Sequence, residues 1–152
     1  MIHTVLLILH MLTAVAALLL GMGAMRVTKQ KGWHSRLGNL YHWLFVIVAA
    51  TAALLATLDW QRLWWFLPVA IFSYAFALLG FAAAKYRWKN WMRWHVTGQG
   101  GSFIAMSTAA VANNLGHLGW LAWLAPTAIG VPILMWFSRE VRAGRRPKYN
   151  RV

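Results

Sequence analysis

Residues 2–36 read IHTVLLILHMLTAVAALLLGMGAMRVTKQKGWHSR, and this stretch decides the fold. From Ile2 to Met25 there is no Lys, Arg, Asp or Glu, whereas Arg26, Lys29, Lys31 and Arg36 follow within a few residues. A bilayer core about 30 Å thick is crossed by roughly 20 apolar residues in a helix. The first part therefore predicts a transmembrane span. The second part predicts a loop on the cytoplasmic side, where Lys and Arg are retained. The stretch meets Arg26 without a small-residue cleavage site and is preceded by no positive region, so it predicts a retained span rather than a removed signal.

The same alternation continues along the chain. Of the 15 Lys and Arg, all but Arg62 fall in residues 26–36, 85–93 and 139–151. The apolar stretches between them predict further spans at 40–58, 64–84, 98–115 and 120–137. With residues 59–63 and 116–119 as short turns, five spans put every basic segment on one side. The expected fold is thus an all-α integral membrane bundle of about five transmembrane helices, N-terminus outside and C-terminus cytoplasmic. Its organisation is a bundle over 1–138 and a basic cytoplasmic tail over 139–152, in a bacterial inner membrane. Tryptophans agree with this placement: Trp33, Trp88, Trp91 and Trp94 fall at the inner boundary, and Trp60, Trp64, Trp65, Trp120 and Trp123 at the outer one.

Composition excludes several classes of function. Of 152 residues, 61% are hydrophobic and 11% charged, which would leave large apolar patches on any water-soluble form. The formal charge of +13 sits beside apolar spans, which points to a membrane surface and away from nucleic acid. The tail is expected to meet anionic lipid. There is no cysteine, so disulfides, thiolate nucleophiles and thiolate metal sites are excluded. The only carboxylates, Asp59 and Glu140, lie at span ends, which disfavours paired-carboxylate hydrolysis and proton-carrying transport. No hydrolase or transferase motif is legible, which leaves a component of a membrane oxidoreductase as the enzymatic candidate.

Six histidines remain: His3, His10, His34, His42, His95 and His117. An ionisable group within a span is a functional candidate by default. Two imidazoles from different helices at one depth can ligate a b-type haem. His42 and His95 meet that condition on the inner side and are the candidate metal ligands. His3 or His10 with His117 is the candidate outer pair. His95 and His117 stand about 33 Å apart along a straight helix, so one haem is expected rather than two. Against this, interfacial histidines also serve as simple hydrogen-bonding groups. Gln99, Ser102, Asn113 and Asn114 bring polar atoms into the fourth span, as a pocket for a small molecule or quinone or as ties between helices. The small residues of Gly98-Gln99-Gly100-Gly101-Ser102 allow close helix approach, and Pro126 and Pro132 flank Gly130 in the fifth span, where a bend is expected.

Two stretches carry a family resemblance. One is His34-x-x-x-Gly38-x-x-Tyr41. The other is His95-x-x-Gly98-x-Gly100-Gly101-Ser102-Phe103-Ile104-Ala105-Met106, followed by Asn113-Asn114 and Pro126-Thr127-x-x-Gly130-x-Pro132. Together they resemble an uncharacterised family of small multispanning bacterial membrane proteins, domain of unknown function 2306. The chain departs from that pattern at Ser35, Phe103 and Asn113, where arginine, tyrosine and aspartate are commoner. The resemblance implies the bundle and singles out His34 and His95; it implies no activity. The expected function is haem-linked electron transfer with quinone. The alternatives are a transport or permeation protein, or an accessory subunit that packs into a homo-oligomer or larger membrane complex.

Overall fold

The computed structural model describes residues 1–29 and 32–144, and these are helical with short connections and no strand among them. Residues 145–152, the end of the basic tail, lie outside the described residues. The helices are α1 (Ile2–Arg26), α2 (Trp33–Leu58), the short α3 (Trp60–Leu63), α4 (Phe66–Tyr86), α5 (Trp91–Asn114) and α6 (Trp120–Arg142), with a 3₁₀ turn at Gly116–Leu118. Four of them, α1, α2, α4 and α6, are long and apolar enough to cross a membrane.

Helices start earlier than apolarity predicts. α2 begins at Trp33 rather than at residue 40, and α5 begins at Trp91 rather than at residue 98. Hydropathy marks where a helix can meet lipid, while backbone hydrogen bonding continues through polar residues that favour helix, such as Arg36 and Arg93. The basic segments are therefore partly helical, and the connections shrink to residues 27–32 and 87–90.

The chain divides into two compact units, Met1–Ala75 and Phe76–Val152. In the first, α1 and α2 form an antiparallel pair. The buried positions of α1 are Ala17, Gly21 and Ala24, one small residue per turn. Those of α2 include Tyr41, His42, Phe45, Val48, Thr51 and Leu55, a stripe of larger side chains at helical spacing. Small against large allows the two backbones to approach closely. Val5, Ile8, Leu12, Val15 and Leu19 of α1 are all exposed, a continuous apolar stripe suited to hydrocarbon and unsuited to water.

In the second unit α5 is flanked on both sides. Towards α4 it presents Gly98 and Gly101, the latter against the Phe76 ring. Towards α6 it presents Gly100 and Ile104, which meet Leu134 and Gly130 respectively. Thr108 and Thr127 close the same register with a hydroxyl–hydroxyl bond of 3.1 Å. A helix sandwiched this way has small and polar residues where a lipid-facing helix has leucine, which explains why α5 is absent from the four apolar helices. Pro126 and Pro132 both lie within the continuous α6.

Candidate functional site

The tightest feature of the second unit is the crossing of α4 and α5 at Gly80 and Gly98. A Cβ on Gly98 would stand 2.4 Å from the Gly80 nitrogen and 2.7 Å from the Phe76 carbonyl oxygen. One on Gly80 would stand 2.6 Å from the Gln99 nitrogen. Only glycine permits this main-chain contact. Two side chains of α5 then reach the α4 backbone: His95 Nδ1 lies 3.0 Å from the Gly80 carbonyl oxygen, and Gln99 Nε2 donates to the Ala77 carbonyl at 3.1 Å.

The His95 bond fixes a tautomer. A carbonyl oxygen only accepts, so Nδ1 carries the proton, and in the neutral ring the lone pair belongs to Nε2. The indole of Trp91, one turn earlier, has its ring centre 6.2 Å from the imidazole.

Two histidines of the first unit are held in the same way. His34 Nδ1 donates to the Ala24 carbonyl at 2.9 Å. Lys29 Nζ donates to that carbonyl at 2.9 Å, and also to the carbonyls of Met25 and Val27. Together they satisfy carbonyls that the end of α1 leaves without an intrahelical donor. Burial at this position holds the Lys29 ammonium below its ordinary pKa. Deeper in the pair, His10 Nδ1 lies 3.0 Å from Thr51 Oγ1. The Thr51 hydroxyl has one proton, and the α2 carbonyls of Ile47 and Val48 at 2.7 and 3.0 Å take it. The hydroxyl oxygen therefore accepts from His10, which again leaves Nε2 with the lone pair.

His42 is 4% exposed. The bonds His10–Thr51 and His34–Ala24 set the α1–α2 register and bring residue 42 level with the stretch of α1 that contains the buried Ala17. The Tyr74 and Trp43 rings lie 6.0 and 5.8 Å from its imidazole. It is thus a core residue of its unit and not a solvated interfacial one.

The remaining sequence candidates divide clearly. Ser102 is fully buried and donates to the Gln99 carbonyl; Asn113 and Asn114 donate to the carbonyls of Ala109 and Ala110, one turn back on their own helix. These bonds are local, whereas that of Gln99 ties α5 to α4. His3 and His117 are exposed. His42 belongs to the first unit and His95 to the second. Within the first unit, His10, His34 and His42 occupy separate levels about 10 Å or more apart along the helix axes. In the second, His95 and His117 lie at opposite ends of α5. Among the described residues no three His, Asp or Glu side chains converge as a metal-binding group.

Thr51, Tyr74 and Lys29 are parts of these arrangements that sequence reasoning did not single out. Thr51 had a signal: it is the hydroxyl residue in the middle of an otherwise apolar stretch of α2. No protein-family model, curated protein or solved structure matches the chain.

Proposed function

We propose that the chain is an integral membrane protein of five spans, α1, α2, α4, α5 and α6. Its basic segments face the cytoplasm and its first residues the opposite side of a bacterial inner membrane. We further propose that it holds a b-type haem for quinone-linked electron transfer, with His95 among the residues that would hold it. The observation that supports this is the His95–Gly80 bond. A ligating imidazole characteristically donates its other ring N–H to a carbonyl or carboxylate, which fixes the ring and makes the coordinating nitrogen more basic. His95 has that hydrogen bond, and Nε2 is the nitrogen that would coordinate. A bound haem would supply the one-electron chemistry; the residues of this chain would orient its ligand and keep water away. Membership of the uncharacterised family 2306 belongs to the same proposal, on the two blocks that begin at His34 and His95.

A second function has its own supporting observation. Gln99 makes the same kind of interhelical bond as His95 and has no ligating nitrogen. Both bonds are also what a purely architectural glycine crossing requires, as in an accessory subunit. The spectrum of protein purified from haem-replete cells separates the two. Electron transfer requires a sharp reduced α-band that is lost in His95→Ala and kept in Gln99→Ala. A colourless wild type, with His95→Ala and Gln99→Ala equally destabilised, leaves the architectural role.

A further inference from the structure

We propose that the connection between α4 and α5, residues 85–94, binds the headgroup of an anionic phospholipid through Lys85, Arg87, Lys89 and Arg93. This rests on the membrane-spanning part of the proposed function and is independent of haem. The segment reads KYRWKNWMRW: four cations and four aromatic residues with no carboxylate among them. Residues 85–90, Arg93 and Trp94 are exposed.

Three of the four cations lie over rings. Arg87 Cζ stands 4.3 Å from the centre of the Trp91 ring, and Arg93 Cζ 5.8 Å from that of Trp94. Lys85 Nζ stands 5.5 Å from the Phe81 ring and 5.7 Å from that of Tyr86. A ring face attracts a cation through its quadrupole and brings no negative charge of its own. The aromatic support restricts where the long side chains point, which lowers the ordering cost when a phosphate arrives. Guanidinium and ammonium groups then supply charge-assisted hydrogen bonds to its oxygens.

The backbone holds the cations together. Arg87 and Asn90 both adopt the left-handed conformation, at φ 51° and 59°. The Trp88 N–H returns to the Ala83 carbonyl at 3.3 Å, closing the end of α4 as Arg87 turns the chain. Such a turn presents Arg87, Trp88 and Lys89 at the mouth of a helix long and apolar enough to cross a bilayer. Tryptophan favours headgroup depth, and juxtamembrane cations attract anionic lipid. The interleaving of the two selects a phospholipid over a soluble polyanion.

The test uses the full-length protein in phosphatidylcholine nanodiscs titrated with phosphatidylglycerol, with bound lipids counted by native mass spectrometry. The wild type is expected to retain phosphatidylglycerol over phosphatidylcholine by at least about tenfold. K85Q/R87Q/K89Q/R93Q should lose that preference, while R139Q/R142Q keeps it. If the fourfold variant does not fold, R87Q/K89Q changes two exposed side chains only and should lose most of the preference. Equal retention of the two lipids by the wild type overturns the proposal, as does a preference undiminished in the 85–93 variants. Displacement by inorganic phosphate as readily as by phosphatidylglycerol also overturns it, in favour of a free-anion site. Failure to enter phosphatidylcholine nanodiscs at all would overturn the membrane-spanning proposal and this one with it.

Discussion

Gly98→Ala is the substitution whose cost the structure defines best. The added Cβ would meet the Gly80 nitrogen at 2.4 Å, the Gly80 Cα at 2.6 Å and the Phe76 carbonyl oxygen at 2.7 Å. All three are main-chain atoms of α4, so no change of rotamer relieves them. The helices must part by roughly 1 Å to restore ordinary separations. That stretches the 3.0 Å His95–Gly80 and 3.1 Å Gln99–Ala77 bonds past useful length. Overpacking costs about 1–3 kcal/mol, and each interhelical bond about 0.6 kcal/mol. The intrinsic preference of a helix for alanine returns about 1 kcal/mol. The net loss is about 1–3 kcal/mol. Two substitutions calibrate it. Gly100→Ala meets only the Leu134 side chain, which can rotate, and should cost less. Gly38→Ala lies within α2 with open space around its Cβ, and should be neutral or stabilising by up to about 1 kcal/mol. Reversible unfolding in mixed micelles gives the three values. A Gly98→Ala protein as stable as Gly38→Ala would refute the close crossing and the bonds built on it.

Other outcomes follow from single features. Thr51→Val removes the acceptor of His10 and should cost about 0.6–1.7 kcal/mol, with His10→Phe/Thr51→Val losing less than the sum of the two single variants; double-mutant unfolding reads this. Gly119→Ala should cost about 1–2 kcal/mol because residue 119 has φ +60°. Gly116→Ala, with open space around it and no positive φ, should stay within about 0.5 kcal/mol of the wild type in the same assay. Five spans require the two chain ends on opposite sides of the membrane, so terminal reporter fusions should give opposite signals. Equal signals would remove α5, or another helix, from the spanning set.

The legible part of the fold was that written in apolarity. α1 emerged nearly whole because its apolar run ends where the cations begin, at Arg26. The starts of α2 and α5 were less visible, since helical hydrogen bonding runs on through Trp33–Gly38 and Trp91–Val96 while hydropathy falls. The sandwiched position of α5 left the opposite trace. Its glycines, serines and threonines look weakly suited to lipid because neighbouring helices, not lipid, cover them on two sides. The glycine run at 98–101 did announce close packing, yet Gly80 as its counterpart is fixed by the register between helices. The same holds for the partners of the histidines. Sequence spacing gives the depth of His10 but cannot give Thr51, which reaches it only when α1 and α2 align antiparallel.

The histidines show why the chemistry was harder to read than the fold. An imidazole that ties two helices and one that waits for a metal make the same first bond, Nδ1–H to a helix acceptor. His10, His34 and His95 all make it, to a hydroxyl or a carbonyl. What distinguishes the roles is the use of Nε2, and the setting of the Nδ1 bond differs among the three. His34 shares its acceptor with Lys29, whose three carbonyl bonds complete the end of α1, so capping alone accounts for its position. His10 donates to a hydroxyl already committed to its own helix, a pairing whose worth to stability can be measured without any ligand. His95 lies one turn before Gln99, which ties α5 to α4 next to Gly98 of the glycine contact. The His95 bond adds to that tie, and it also fixes the ring in the way a ligand site needs. Under the proposed haem function, His95 is therefore the one of the three whose removal should change a spectrum as well as stability.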